Sequence, residues 1–187
     1  MLRHLLRGKK KSMDIYTHGV GEKIRAGKCA DTRRMIPLSS HPTMATEIIC
    51  LGQIEVRFLL ESKDTNGQLV AFEFTVPAGV KVPAPHSHTH YDETIFGLEG
   101  VMTFTVNGHP TDIGPGDACF IPRGAVHGFN NLKPASAKAL AVATPAFIGP
   151  DFFKEMAAIV NAGGPPDLEK IKAVMTRHGL IPAPPVK

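Results

Sequence analysis

The chain of 187 residues lacks most of the marks of a specialised protein class. Only three cysteines occur, Cys29, Cys50 and Cys119, odd in number and far apart, so no disulfide framework is expected. No apolar run approaches the roughly 20 residues that a membrane helix needs. No apolar signal-peptide core follows the basic start, and a soluble, cytoplasmic protein is the expectation. No internal repeat is present, and no helix-turn-helix precedes the β-rich centre.

Charge of one sign is also missing from the body of the chain. The formal charge of +4 comes from 21 basic and 17 acidic residues. Arg3, Arg7, Lys9, Lys10 and Lys11 crowd into residues 1–12 without an acid, which leaves 16 basic against 17 acidic residues elsewhere, a charge of −1. Nucleic-acid and membrane-surface binding are therefore not predicted. Residues 1–12 read as a basic disordered leader, either a transit-like or electrostatic arm or an upstream extension ahead of a natural start at Met13. Residues 13–43 have no sustained helical period and read as a first strand or an arm on a partner subunit.

What the chain does have is β alternation. Residues 53–60 place Ile54, Val56, Phe58 and Leu60 on one face, and residues 69–76 do the same with Val70, Phe72, Phe74 and Val76. The polar stretch between them ends in Asn66-Gly67, a hairpin signal. Met102, Phe104 and Val106 alternate with Val101, Thr103 and Thr105 ahead of a second such pair, Asn107-Gly108. A last strand is expected near Ala139 to Ala143. Many short antiparallel strands with regular turns imply an all-β jelly-roll barrel, placed at residues 13–147 with its N-terminal arm.

The tail, residues 148–187, changes period. Asp151 is a candidate cap for a helix in which Phe152, Met156, Ile159 and Val160 share a face, and Asp167 for a second with Leu168, Ile171, Val174 and Met175. Gly179 suits the second helix's C-terminal cap, after which the Pro-rich end is expected to leave the body. An apolar helical stripe ordinarily means packing on the outside of the barrel or across a dimer interface; covering the barrel mouth is the alternative.

Two linked patterns carry the chemistry. Residues 86–100 read His86-x-His88-x4-Glu93-x6-Gly100, and residues 116–131 read Gly116-x5-Pro122-x-Gly124-x2-His127-x3-Asn131. On a strand, side chains two apart share a face, so His86 and His88 aim two ring nitrogens at one point. Glu93 lies at an odd offset from His88 and must follow a corner, for which Thr89-His90-Tyr91-Asp92 is the candidate. His127 must then come from a third strand, set off by the turn residues Gly116, Pro122 and Gly124 around the apolar run Ala118-Cys119-Phe120-Ile121. Cys119 reads as a small buried hydrophobe in that run.

These residues resemble the two motifs of the cupin superfamily. The second matches at every defined position. The first matches except that six residues separate Gly79 from His86 where the usual pattern allows five; a small loop or bulge near Pro83 and Pro85 would absorb the difference. Fifteen residues between Gly100 and Gly116 resemble the spacing of compact microbial cupins. Carried over residue by residue, the resemblance implies His86, His88, Glu93 and His127 as ligands of one divalent metal ion per chain, Fe, Mn, Ni, Co or Zn. It also implies a dioxygenase of the quercetinase-like type acting on a small aromatic or enol substrate with O₂, in which Glu93 is the catalytic base. The alternatives are an oxygen-independent isomerase, lyase or decarboxylase, or a non-catalytic binder of a small ligand. A homodimer is expected, because cupin barrels often pair and exposed apolar tail helices would suit one.

Several neighbours have open roles. His88 and His90 form another His-x-His pair, so His90 is an alternative to His86 as ligand; otherwise it belongs at the rim. Tyr91 is either an added donor at the site or a rim aromatic with an exposed hydroxyl. Arg123 is either an anchor for an anionic substrate or an exposed turn residue. Phe58, Phe74, Met102, Phe104 and Phe129 are candidates for an apolar pocket or for plain core.

Overall fold

The computed structural model describes residues 47–80 and 85–183. The expectations for residues 1–43, and for a loop or bulge at Pro83, lie outside them. Among the described residues no helix is long and apolar enough to cross a membrane.

Among the described residues, eleven strands and two helices follow in chain order: β1 (Ile48–Leu51), β2 (Ile54–Leu60), β3 (Val70–Val76), β4 (His86–His88), β5 (Asp92–Glu99), β6 (Met102–Val106), β7 (His109–Ile113), β8 (Ala118–Ile121), β9 (His127–Asn130), β10 (Ala137–Thr144), α1 (Pro150–Val160), α2 (Leu168–Arg177) and β11 (Leu180–Pro182). They form a six-stranded sheet ordered β1-β2-β3-β10-β5-β8 and a five-stranded sheet ordered β11-β4-β9-β6-β7. The neighbours in each sheet pair antiparallel, which gives the jelly roll that the alternation implied.

The alternation works because one face of each sheet is buried. Val56 and Phe58 on β2, Val70, Phe72, Phe74 and Val76 on β3, and Ala139, Ala141 and Ala143 on β10 all point into the space between the sheets. Asn107 and Gly108 adopt φ of 49° and 82°, the left-handed pair of the tight hairpin turn between β6 and β7, and Asn66 and Gly67 adopt 52° and 77° in a turn within the longer connection, residues 61–69, between β2 and β3. Leu60 departs from the expected inward face and is exposed. The register slips between Phe58 and Leu60, where β2 bulges against β3, and a one-residue slip turns a side chain to the other face.

Helix α1 begins two residues earlier than the sequence suggests. Gly149 is its N-cap, Pro150 takes the first turn, and Asp151 sits within that turn instead of capping it. Asp167 caps α2 as expected, accepting from Lys170 N–H at 3.1 Å. Gly179, with φ of 76°, follows α2 in the left-handed conformation. The chain does not leave the body there: β11 pairs with β4, with Leu180 opposite His88 and Pro182 opposite His86.

The helices also turn their apolar faces inward, Phe152, Phe153 and Met156 on α1 and Val174 and Met175 on α2 being buried. Asn161, at the C-terminus of α1, grips the β1–β2 turn: it accepts from Gly52 N–H at 2.9 Å and donates to the Cys50 carbonyl at 2.8 Å. Leu168, expected on the apolar stripe of α2, is exposed, and further exposed apolar side chains include Phe96 and Leu98 of β5 beside Phe120 of β8.

Asn131, the last residue of the second motif, is fully buried. Its amide donates to the carbonyls of Val76, Pro77 and Ala135 and accepts from Lys133 N–H, so it ties the end of β9 to the end of β3. Deleting it would orphan several buried backbone groups. Asn131→Ala is expected to lower the unfolding free energy by about 3 kcal/mol, read from urea denaturation; a loss below about 1 kcal/mol would contradict this role.

Candidate metal centre

The central elements of both sheets meet at one cluster. His86 and His88 lie on β4, and His127 on the adjacent β9 faces His86 directly across the ladder. Glu93 comes from β5 in the other sheet, after the corner that residues 89–91 make between the strands. The corner is needed because β4 and β5 belong to different sheets. Ligand nitrogens of His86, His88 and His127 all lie within 4.8 Å of one another. Glu93 Oε2 lies 3.6 Å from His127 Nε2 and 4.0 Å from His88 Nε2. The structure thus brings together all four residues singled out in the motifs.

Burial sets the electrostatics. His88 and His127 are each 3% exposed. Desolvation, with the His127 and His86 rings beside it, holds His88 down at about 2, and burial lowers His127, opposed by its bond to Ala125. Both imidazoles are therefore neutral, with lone pairs available. His127 Nδ1–H donates to the Ala125 carbonyl at 3.0 Å, which turns Nε2 toward the cluster, the orientation that a metal-bound imidazole takes. Burial pushes the Glu93 carboxyl up to about 7; a cation beside it would restore the carboxylate.

The residues fit a divalent ion. Three neutral imidazoles and a carboxylate form a mixed nitrogen and oxygen donor set suited to Fe, Mn, Co, Ni or Zn. Donors sharing one ion at about 2.1 Å stand roughly 3–4 Å apart; the distances from Glu93 to His88 and His127 lie in that range, while the mutually close group comprises the three histidines. The sequence alternative is not supported: His90 is exposed, stacks on Phe147 at a ring separation of 4.3 Å, and is not among the clustered histidines.

Tyr91 is neither a rim residue nor a hydrogen-bonded donor. It is 1% exposed, its ring stacks on His88 at 4.1 Å and 21°, and its hydroxyl has no partner among the described residues. His88 Nδ1 is likewise buried without one. Arg123 is not a free cation at the mouth. Its guanidinium forks onto Asp92 at 3.1 and 2.7 Å while its backbone N–H donates to the same carboxylate at 2.8 Å. This pair fastens the turn before His127 to the start of the strand that carries Glu93.

The cluster forms the polar part of a chamber of about 120 Å³. Phe74, Phe104 and Phe129 line it as the sequence allowed, whereas Phe58 and Met102 are core outside it. Phe152, Phe153 and Met156 of α1 and Met175 of α2 line it as well, which favours the alternative of a tail covering the chamber over packing on the outside of the barrel. Phe153 was not singled out by the sequence. The adjacent pair Phe152-Phe153 was the available signal, because it widens the apolar face beyond a single stripe. Cys119 lies half-buried on β8 and its thiol is pushed up by burial, as expected of a small hydrophobe.

The chain is similar to several known proteins. The family model described as "Cupin domain" matches residues 72–143. The quercetin 2,3-dioxygenase of Bacillus subtilis (strain 168) is 30% identical over 96 residues, 51% of this chain and 28% of that protein. An "Uncharacterized protein" of Aquifex aeolicus (strain VF5) is 36% identical over 67 residues, 36% of this chain and 54% of that one. The chain therefore spans about half or less of these relatives' own length. A solved structure described as a predicted oxalate decarboxylase from Thermotoga maritima is 26% identical, with a TM-score of 0.49, covering 54% of this chain and 91% of that one.

Three outcomes follow from the site. Ala at His86, His88 or His127 should each weaken metal binding at least about tenfold by deleting a donor, whereas His90→Ala should keep full stoichiometry in elemental analysis; the opposite pattern would favour the other pair. Tyr91→Phe removes a hydroxyl that has no partner, so the melting temperature should hold or rise, and a fall would reveal a bond that the structure lacks. The Arg123 guanidinium holds the Asp92 carboxyl down at about 2 from 3.8. A depressed folded value stabilises above the unfolded value and is lost as pH falls through the folded one. Wild type and Asp92→Asn should accordingly differ in melting temperature at pH 5–7 and converge toward pH 2, a modest effect because the pair is exposed; a difference that grows on acidification would contradict this.

Proposed function

We propose, for a chain that belongs to the cupin superfamily, that the barrel is a metal-dependent dioxygenase of the quercetinase-like type acting on a small aromatic or enol substrate. The observation that carries this reading is the cluster of His86, His88, Glu93 and His127 set into an otherwise apolar chamber. Similarity to the Bacillus quercetin 2,3-dioxygenase supports the choice of reaction. His86, His88, Glu93 and His127 would hold the ion. Bound there, a divalent metal supplies Lewis-acid polarisation of a substrate oxygen and, when redox-active, an electron path to O₂.

The chain's own residues do the rest. His127 is held in one orientation by Ala125, and His88 by the Tyr91 ring stacked on it. Glu93 comes from the opposite sheet and is the one acid among the described residues of the chamber wall. Swung off the ion, it serves as the base that takes the proton of the substrate hydroxyl or enol onto its carboxylate. Apolar walls keep bulk water from the reacting atoms. A second copy of the chain is the proposed partner, in a cytoplasmic homodimer.

Metal-loaded protein should consume O₂ when a flavonol, catechol or diketone substrate is supplied. Glu93→Gln should lower kcat by about 100-fold or more. Oxygen electrode traces and product mass test both. Turnover without O₂ uptake would overturn the dioxygenase reading in favour of isomerase or lyase chemistry, and bound ligand without product would leave a binding protein.

A further inference from the structure

Residues from the helical tail make up part of the chamber wall, and their chemistry limits what the chamber can hold. Only His86, His88, Tyr91, Glu93 and His127 carry polar side-chain atoms among the described residues lining it; every other lining side chain is aliphatic, phenylalanine or methionine. No lysine or arginine is among them. Arg123, the basic residue in the turn before His127, is already engaged by Asp92. Away from the cluster, against these described walls, a phosphate or a second carboxylate would be desolvated with no lysine or arginine to pair it, and sugar hydroxyls would lose their water without a donor or acceptor to replace it.

The tail is fastened to both sheets. Asn161 binds α1 to the β1–β2 turn, and Glu155 of α1 meets Arg177 and His178 at the end of α2. Thr89 N–H and its hydroxyl both donate to the Gly179 carbonyl, at 3.0 and 3.1 Å, while β11 continues into the five-stranded sheet beside the histidines. Between these anchors Phe153 packs edge-on against Phe72 and Phe58, at 5.2 and 5.6 Å. Met156 and Met175 supply flexible thioether chains that adapt to an irregular apolar guest.

We propose that α1 and α2 are a substrate-selecting wall, admitting a molecule with one polar head for the histidine and glutamate cluster and an uncharged aromatic or hydrocarbon body, and rejecting phosphorylated, dicarboxylic and polyhydroxylated ligands. This inference rests on the metal-site reading only for where the head goes; the selection itself belongs to Phe152, Phe153, Met156 and Met175.

The test uses two ligands with the same catechol head, 4-tert-butylcatechol and 3,4-dihydroxybenzoate, titrated by calorimetry into full-length protein with and without metal, with metal content measured on each sample. The tert-butyl compound should bind at least about tenfold more tightly to the metal-loaded protein, and the preference should persist in metal-free protein as a larger ligand-induced rise in melting temperature. Met156→Lys should reverse or erase the preference. Phe153→Leu, a milder change should the lysine variant fail to fold, should weaken tert-butylcatechol several-fold while metal stoichiometry stays at the wild-type value. Equal or tighter binding of the benzoate by wild type, or binding of neither compound, overturns the inference. Absence of metal with the preference intact sinks the metal reading alone, and full metal loading without the preference sinks the selecting wall alone.

Discussion

The pairing of β4 with β9 is the constraint on which the rest of this molecule depends. It sets His86 opposite His127, and the pleat of β4 then brings His88 to the same interior side. Glu93 reaches the group only because β5 belongs to the other sheet and faces β4 across the barrel. Four polar side chains consequently meet where the sheets come together, in surroundings that strip them of water. Neutral imidazoles and a carboxyl held near neutrality are the direct result. Such a cluster is costly without an ion and well suited to one.

The frame around the site is built to keep this geometry. Asp92 and Arg123 fasten the turn before β9 to the start of β5, Asn131 anchors the far end of β9, and β11 covers the outer edge of β4. Each of these contacts lies within a few residues of a proposed ligand. The helices extend the same logic to the chamber, since α2 leads directly into β11. Ligand strand and chamber wall are therefore parts of one continuous structure, and the polar cluster is confined to one region of an apolar space.

Much of this was legible because strand periodicity and turn chemistry are local. His86, His88, Glu93 and His127 could be placed from a two-residue repeat, one corner and three turn residues, and the two Asn-Gly turns adopt the conformation that their sequence demands. What was not legible depends on contacts distant in the chain. Leu60 points outward because of a bulge against β3, which no pattern within β2 announces. β11 is three residues ending in proline, too short to carry a period, and exists because β4 offers it an edge. Tyr91 reads as a corner residue until the ring of His88 is seen stacked on it. The helical stripe of the tail shows that something is covered but not what, so its periodicity alone does not separate an outer surface from the chamber.

X-ray absorption spectroscopy at the edge of the bound metal, on stoichiometrically loaded wild-type protein, tests the central claim most directly. Three imidazole nitrogens and a carboxylate oxygen at about 2.0–2.2 Å are expected, with one imidazole lost in His127→Ala and none in His90→Ala. Fewer than three imidazoles in the wild type, or no stoichiometric metal after loading, would contradict a site assembled from both sheets around one ion.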